Sequence, residues 1–119
     1  MSESQSLPAV IHEHVLTPDS ARLAEATGVF AMLADPTRLH LIWLLAQGEA
    51  DVGTLTERTD ASRTAVSQHL GKLRLAGLVD TRREGRHIYY RLRDGHLRRL
   101  VVEALSHADH RVSGEAVHD

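Results

Sequence analysis

Four residues of the types that bind divalent metal ions lie near the carboxyl end of the chain, within the stretch DGHLRRLVVEALSHADH. They are Asp94, His96, His107 and His110. Carboxylate oxygens and imidazole nitrogens are ordinary ligands for zinc and for its first-row neighbours. His107 and His110 are one turn apart if the stretch is helical, so they can chelate a single ion. The sequence therefore predicts a metal site that uses both ends of this stretch.

The same stretch has the periodicity of an amphipathic helix. Its apolar residues recur at steps of three and four, at Leu97, Leu100, Val101, Ala104, Leu105 and Ala108. Asp94 stands ahead of this run, where an N-cap is expected. A monomer of this size would expose the apolar face, so we predict that a dimer buries it.

The length of this helix decides where its ligands can meet. His96 and His107 are eleven residues apart, which is roughly 16 Å along a helix that rises ~1.5 Å per residue. Metal–nitrogen bonds are only about 2 Å long. One helix cannot bring both ends to one ion, whereas two antiparallel copies related by a two-fold axis can. We predict a homodimer with two equivalent sites, in which Asp94 and His96 of one chain meet His107 and His110 of the other.

The identity of the ion and the role of the site leave alternatives open. One aspartate and three histidines complete a tetrahedron, which favours zinc. The terminal histidines, His12, His14 and His118, are possible extra ligands. A zinc ion that only holds the dimer together, or a dimer helix with solvated histidines, would explain the same residues without a sensing role.

Length and composition restrict the class of protein. A chain of 119 residues is one domain. It contains no cysteine, which excludes thiolate metal sites, disulfides and thiol catalysis and is compatible with a reducing cytoplasm. No apolar run approaches the ~20 residues of a membrane span, and the amino terminus has no signal-peptide pattern. We therefore expect a cytoplasmic protein with no membrane partner.

The net charge of −2 conceals an uneven distribution along the chain. Residues 61–93 hold seven arginines and one lysine against two acids, Asp80 and Glu84, a balance of +6. Residues 1–60 hold three arginines and nine acids. A basic block inside an acidic chain is typical of nucleic-acid binding, although a merely solvated basic face has the same composition.

Helix start and stop signals divide the chain into an arm, a folded domain and a tail. Residues 1–18 lack sustained periodicity and are expected to form a flexible arm, residues 19–110 the domain, and residues 111–119 a flexible tail. Four helix starts precede the basic hairpin, at Asp19 or Ser20, at Asp35-Pro36, at Asp51 and at Ser62. The glycines Gly48 and Gly77 are expected to end the second and fourth of these helices.

The fourth helix has one apolar and one polar face. A short helix, a turn and a longer helix with a polar, basic face are typical of a helix-turn-helix motif. Such side chains bond base edges and phosphates. The predicted DNA-binding residues of this segment are Ser62, Arg63, Thr64, Ser67, Gln68 and Lys72. For His69, a packing or phosphate-binding role is favoured over metal ligation, since no second ligand neighbours it at helical spacing.

The segment from Leu78 to Leu92 has the pattern of a β-hairpin around Gly85. The residues predicted for its basic tip are Arg82, Arg83, Arg86 and His87. A basic hairpin directly after a recognition helix forms a wing that can reach a neighbouring groove or the phosphate backbone. The expected fold is therefore mainly α with a small β-hairpin, a winged helix-turn-helix that forms a homodimer.

The motifs LADPTRLHLIWLL, SRTAVSQHLGKLRLAGLV and GRHIYYRL, in this order, resemble the ArsR/SmtB family of dimeric winged-helix repressors over roughly residues 20–110. The spacing Asp94-x-His96-x10-His107-x2-His110 resembles the C-terminal-helix site of the family's zinc, cobalt and nickel sensors. One subgroup of nickel and cobalt sensors has extra histidines in its terminal arms, so the resemblance implies nickel or cobalt as the alternative to zinc if His12, His14 or His118 also binds. The resemblance implies that the metal-free dimer binds a palindromic operator on double-stranded DNA, and that a divalent metal ion releases it.

The stretch DVGTLTERTD lacks the cysteines with which other members of the family bind soft metals, which argues against sensing of arsenite, cadmium or lead. Two other classes remain open. A regulator that is independent of metal, or that senses an organic ligand, would keep the winged helix. A zinc hydrolase would need an open coordination position, which four protein ligands do not leave, so the protein is not expected to be an enzyme.

Overall fold

The computed structural model describes residues 17–118, and it describes side chains for residues 17–114. Within this part of the chain the elements follow one another as helices and strands in the order α1 Ser20–Leu33, α2 Pro36–Gln47, β1 Ala50–Asp51, α3 Val52–Glu57, α4 Arg63–Leu75, β2 Val79–Glu84, β3 His87–Leu92 and α5 Gly95–His118. Most of the predicted arm, including His12 and His14, lies outside the described residues.

Each predicted N-cap satisfies a backbone N–H in the first turn of its helix. Asp19, Asp35, Asp51 and Ser62 accept hydrogen bonds from the amides of Arg22, Arg38, Thr54 and Ala65. Asp94 likewise accepts from the amide of Leu97 at 3.0 Å. These bonds replace intrahelical partners that the first turn lacks. The helix starts predicted from the sequence are therefore confirmed.

Helix α2 lies at the centre of the core. Its buried residues, Leu41, Ile42, Leu45 and Ala46, pack against the apolar faces of α4 and α5. Helix α4 contributes Val66, Leu70 and Leu73, and α5 contributes Leu97 and Val101. Helix α1 contributes only Leu33 to the buried core. As a result, α1 lies at the edge of the protomer and leaves much of its apolar surface exposed.

The predicted hairpin is present, and a third strand adds to it. Strands β2 and β3 pair antiparallel from Val79↔Leu92 to Glu84↔His87, with Gly85 at φ 63° in the connecting turn. Two residues of β1 also pair with β3, which gives the strand order β1-β3-β2. A strand of two residues has no periodicity that sequence reasoning could detect. Helices α3 and α4 followed by this hairpin form the predicted winged helix-turn-helix.

Helix α5 is longer than the sequence predicted. It continues through residues 111–118, which were assigned to a flexible tail, and ends at His118. The stop signal in this region is weak, because an internal glycine such as Gly114 disfavours a helix by only ~1 kcal/mol relative to alanine. Ser113 also donates a hydrogen bond to the Asp109 carboxylate one turn earlier, at 3.4 Å.

In the described part of the chain, no single helix is long and apolar enough to cross a membrane. The pair α1 and α2 meets the length and composition criteria only together, and it is bent by 98° at the break.

Candidate DNA-binding surface and metal ligands

The polar face of α4 is open to solvent along its length. Five of the predicted DNA-binding side chains on this helix are exposed, namely Arg63, Thr64, Ser67, Gln68 and Lys72. The opposite face is fixed in the core by Val66, Leu70 and Leu73, which are fully buried. Helix α4 contains no acidic residue. The core residues therefore orient α4 so that a polar, cationic face points outward, in the manner of a recognition helix.

The basic residues of the wing have two different environments. Arg83, Arg86 and His87 are exposed at or next to the turn. Arg82, which was predicted at the tip, lies farther down β2 opposite Tyr89. Its guanidinium donates to Glu49 at 2.8 Å and to Glu84 at 2.9 Å.

The two carboxylates explain why Arg82 differs from its neighbours. The hydrogen bond to Glu49, followed by that to Glu84, raises the pKa of Arg82 above its ordinary range. Arg82 also lies 4.8 Å above the ring of Tyr89. Its charge is thus largely neutralised, and it holds the wing against the turn after α2. Glu49 is 33 residues away in sequence, so spacing along the chain did not reveal the pair.

A cleft of about 400 Å³ separates the wing from the start of α3 and α4. Arg63 enters it from α4, and Arg86 and His87 enter it from the wing. The Nδ1 atom of His87 lies 3.7 Å from an oxygen of Asp51. The helix-capping bond from Thr54, with smaller contributions from the nearby His87 and Arg63, lowers the pKa of Asp51. The cleft therefore brings two guanidinium groups and the imidazole of His87 around the carboxylate of Asp51, which the sequence had predicted only as a helix cap.

His69 packs against the corner between α1 and α2. Its Nδ1 lies 3.5 Å from Nη1 of Arg38, and its Nε2 lies 3.9 Å from the capping carboxylate of Asp35. Arg38 also donates from Nε to the carbonyl of Met32 at 2.7 Å. The side chain of His69 is 21% exposed. This environment is that of a packing residue that links the recognition helix to α1 and α2.

The four predicted metal ligands lie at two separated levels of α5. Asp94 caps the helix and His96 lies in its first turn, whereas His107 and His110 lie more than two turns later, and all four residues are exposed. Among the described residues, no group of three or more potential ligands lies close enough to hold one ion. A single chain therefore does not bring the two pairs together. His118 lies in the last turn of α5, and its side chain is outside the described set.

The two proposed ligands at the start of α5, Asp94 and His96, each have a polar contact within their own chain. Asp94 uses Oδ1 for capping, and its other oxygen is not used in that bond. The Nδ1 of His96 lies 2.8 Å from Nη2 of Arg99. If Arg99 donates to Nδ1 of a neutral imidazole, the ring proton is on Nε2. Ligation through Nδ1 would then require the loss of the Arg99 contact. Ligation through Nε2 would require the proton to move to Nδ1, which also breaks that contact. The donor set of one carboxylate and three imidazoles suits zinc and its neighbours.

An apolar groove of about 370 Å³ runs between α1 and α5. It is lined by Phe30, Leu33, Ala34, Leu39, Leu100, Val101 and Ala104. Phe30 is 58% exposed at its edge. Exposed apolar patches of this kind mark contact surfaces.

Comparison with known proteins identifies relatives over most of the chain. Residues 35–81 match the family described as "Bacterial regulatory protein, arsR family". The HTH-type transcriptional regulator KmtR of Mycobacterium tuberculosis is 50% identical over 82 residues, which are 69% of this chain and 63% of KmtR. The chain thus spans less than two thirds of KmtR. The biofilm growth-associated repressor of Agrobacterium fabrum is 45% identical over 82% of this chain and 83% of that protein.

The fold also matches a solved structure. The homodimeric winged helix-turn-helix domain Mb0332 of Mycobacterium bovis superposes with a TM-score of 0.71. It is 33% identical in sequence, and the match covers 85% of this chain and 95% of that domain.

Proposed function

The chain belongs to the ArsR family of bacterial regulatory proteins, and we propose that it is a homodimeric transcriptional repressor that a divalent metal ion, zinc in the first place, releases from operator DNA. The observation that carries this proposal is the separation of the two ligand pairs on α5, beside the apolar groove that α1 and α5 leave open. A second copy of the chain packed against α1 and α5 would cover the groove. The same dimer interface would bring the two ligand pairs of different chains together.

The DNA-binding part of the proposal rests on the exposed face of α4 and on the wing. Thr64, Ser67 and Gln68 are exposed on α4, and we propose that they meet base edges, while the exposed Arg83 and Arg86 of the wing meet phosphates. A two-fold dimer presents two such helices, so the operator should be an imperfect palindrome. Because Arg82 is bound by two carboxylates, it is not part of the proposed contact surface.

The dimer follows from the surface that the protomer leaves uncovered. In addition to the groove, Val102 on α5 is 38% exposed, and Leu23 on α1 is 54% exposed. The homodimeric state of Mb0332 supports the same assembly here. An antiparallel pair of α5 helices would bring Asp94 and His96 of one protomer beside His107 and His110 of its partner.

The regulatory step requires a difference in metal affinity between two conformations of the dimer. Metal lowers DNA affinity only if the ligands meet better in the conformation that binds DNA poorly, and DNA then lowers metal affinity by the same factor. When bound, the ion supplies a fixed bridge between the two α5 helices. Participation of His12, His14 or His118 would shift the assignment from zinc to nickel or cobalt.

Subunit exchange tests the inter-chain site. Two variants, His96→Ala and His107→Ala, should each lose metal binding as homodimers. In a mixed dimer one site collects both lesions and the other keeps all four ligands, so binding should return at one site per heterodimer. His40→Ala, which removes an exposed histidine from α2, is the control and should bind as the wild type does. No restoration after confirmed exchange would eliminate the inter-chain site.

A metal-independent regulator is the second candidate. It is favoured by the contacts that Asp94 and His96 make within their own chain, to the amide of Leu97 and to Arg99. Fluorescence anisotropy of labelled operator DNA, titrated with and without Zn(II), Co(II) and Ni(II), separates the two. A DNA affinity that no ion changes would establish the metal-independent function.

A further inference from the structure

The junction between the recognition helix and the wing is a rigid turn. Helix α4 ends at Leu75, and Gly77 adopts φ +79°. The amide of Gly77 donates to the carbonyl of Arg74, and the amide of Leu78 donates to that of Leu73, both at 3.0 Å. This pair of bonds is a Schellman motif, which fixes the direction in which the chain leaves a helix. A displacement of Gly77 or Leu78 would therefore act directly on the last turn of α4.

One residue outside this turn holds it from the other side. The amide of Arg93 donates to the carbonyl of Leu78 at 3.1 Å. Its Nη2 donates to Asp80 at 2.7 Å. Its Nη1 lies 3.7 Å from the position that a Cβ on Gly77 would occupy. Arg93 thus contacts the turn through both its backbone and its side chain.

Arg93 is also the residue immediately before Asp94. Asp94 caps α5 through its carboxylate and is one of the four proposed ligands. Because Arg93 and Asp94 share a peptide bond, any shift of the Asp94 backbone that accompanies ligation would be passed directly to Arg93. The contacts of Arg93 therefore lie between the proposed metal site and the turn after α4.

We propose that Arg93 is a positioning residue that couples the ligand end of α5 to the recognition helix and the wing. This inference rests on the proposed function and specifies its route. In the metal-free dimer, Arg93 holds residues 77–80 so that α4 and the wing face DNA together. Movement of Asp94 toward its partner ligands displaces Arg93, and the turn then changes the angle between α4 and the wing.

The exposure of the Arg93–Asp80 ion pair sets the size of the effect that its loss should have on metal regulation. The side chains of Arg93 and Asp80 are 53% and 37% exposed. An exposed pair alters an equilibrium by a factor of up to about five. Loss of Arg93 should therefore leave the protein folded. With one pair in each protomer, the effect on a two-fold conformational change can reach about 25-fold, which is within the usual range of about 5- to 150-fold for coupling between sites.

The test compares four variants with the wild-type dimer: Arg93→Met, Asp80→Asn, the double variant, and Arg98→Met. Arg98 is exposed on the first turn of α5, so its replacement is the matched control for loss of one positive charge per protomer. For each protein, the measured quantity is the ratio of operator Kd with zinc to operator Kd without zinc. Zinc stoichiometry and thermal unfolding are measured on the same samples.

We expect Arg93→Met to bring this ratio about two- to 25-fold closer to one while zinc stoichiometry is unchanged. Asp80→Asn should have a comparable effect, and the double variant should add little, because both changes remove one interaction. Arg98→Met should keep the wild-type ratio. In addition, zinc should shift the amide resonances of Gly77 and Leu78 in DNA-free wild type, and these shifts should shrink in Arg93→Met.

Two results would overturn the inference. In the first, the ratio of operator Kd values differs from one in the wild type and is unchanged in both Arg93→Met and Asp80→Asn. Metal regulation would then stand, but Arg93 would not transmit it. A wild-type ratio of one, with unshifted Gly77 and Leu78 resonances, removes the proposed metal regulation and the coupling with it. If Arg93→Met unfolds, the ratio for Asp80→Asn alone decides between these outcomes.

Discussion

The Nη2 atom of Arg99 lies 2.8 Å from Nδ1 of His96, one turn apart on the first turns of α5. This contact occupies a nitrogen of a proposed ligand, and it would place a positive charge beside an ion bound by His96. Replacing Arg99 by methionine should therefore strengthen zinc binding by about two- to tenfold, the range expected for loss of one competing exposed hydrogen bond.

Competition with a chromophoric chelator measures this change in zinc affinity. Arg98→Met is the control, since it removes the same charge from the adjacent position, and it should alter affinity less than Arg99→Met. Weaker zinc binding in Arg99→Met would mean that Arg99 orients His96 for ligation instead of competing with the ion.

The apolar groove predicts a specific dimer defect. Leu100→Asp places a carboxylate among Phe30, Leu39 and Ala104, where a partner helix would have to desolvate it. Sedimentation at micromolar concentration without zinc should show this variant as a monomer and the wild type as a dimer. Leu75→Asp is the control, because Leu75 is 92% exposed on α4 outside the groove, and it should remain dimeric. A folded Leu100→Asp dimer would show that the partner covers another surface.

Replacing the two kinds of wing arginine should have different effects, on DNA affinity in one case and on thermal stability in the other. Arg86→Ala should weaken binding to all DNA sequences alike and lower the slope of log K against log salt by about one unit. Arg82→Met should leave that slope nearly unchanged, because Glu49 and Glu84 already neutralise the guanidinium, and should lower the midpoint of thermal unfolding instead. Salt titrations and thermal melts on both variants check this contrast. Equal slopes for Arg86→Ala and wild type would remove Arg86 from the phosphate contacts.

Base preference should depend on α4 and not on the wing. Gln68 is exposed on the polar face of α4, and its amide can both donate to and accept from a base edge. Gln68→Ala should narrow the difference in affinity between operator and scrambled DNA by about 1–3 kcal/mol per base read, while the salt slope stays as in wild type. A uniform loss of affinity for both DNAs would instead make Gln68 a backbone contact.

Stability should fall in acid through the helix caps. The hydrogen bond from the amide of Arg38, with a smaller contribution from the nearby His69, lowers the pKa of Asp35 below its ordinary value. A carboxyl with a lowered folded pKa stabilises the protein above its unfolded pKa, and this contribution is lost as pH falls through the folded value. Urea unfolding between pH 5 and about pH 2 should show a shallower pH dependence in Asp35→Asn, which retains the cap, than in wild type. The same slope in both proteins would contradict this role of Asp35.

The helix starts and the separation of the proposed ligands could be predicted from sequence because both depend on local spacing. Each helix cap accepts a hydrogen bond from the amide three residues later, so a short stretch of sequence is enough to identify it. The caps are Asp19, Asp35, Asp51, Ser62 and Asp94. The rise per residue of a helix likewise shows that Asp94 and His96 cannot bind the same ion as His107 and His110 of their own chain. Buried Val66, Leu70 and Leu73 also follow from helical periodicity, and so does the exposed face opposite them.

The contacts that give these elements their roles were decided by tertiary structure. Arg82 and Glu49 are 33 residues apart, His69 and Arg38 are 31 apart, and β1 pairs with β3 across most of the helix-turn-helix. Such partners depend on how the core brings distant segments together, so no local pattern distinguished Arg82 from Arg83. The continuation of α5 past His110 was missed for the opposite reason, since its signals are local but weak. The pairing of Arg93 with Asp80 arises because β2 and β3 place the end of the wing beside the end of α4, and this placement exists only once the chain has folded.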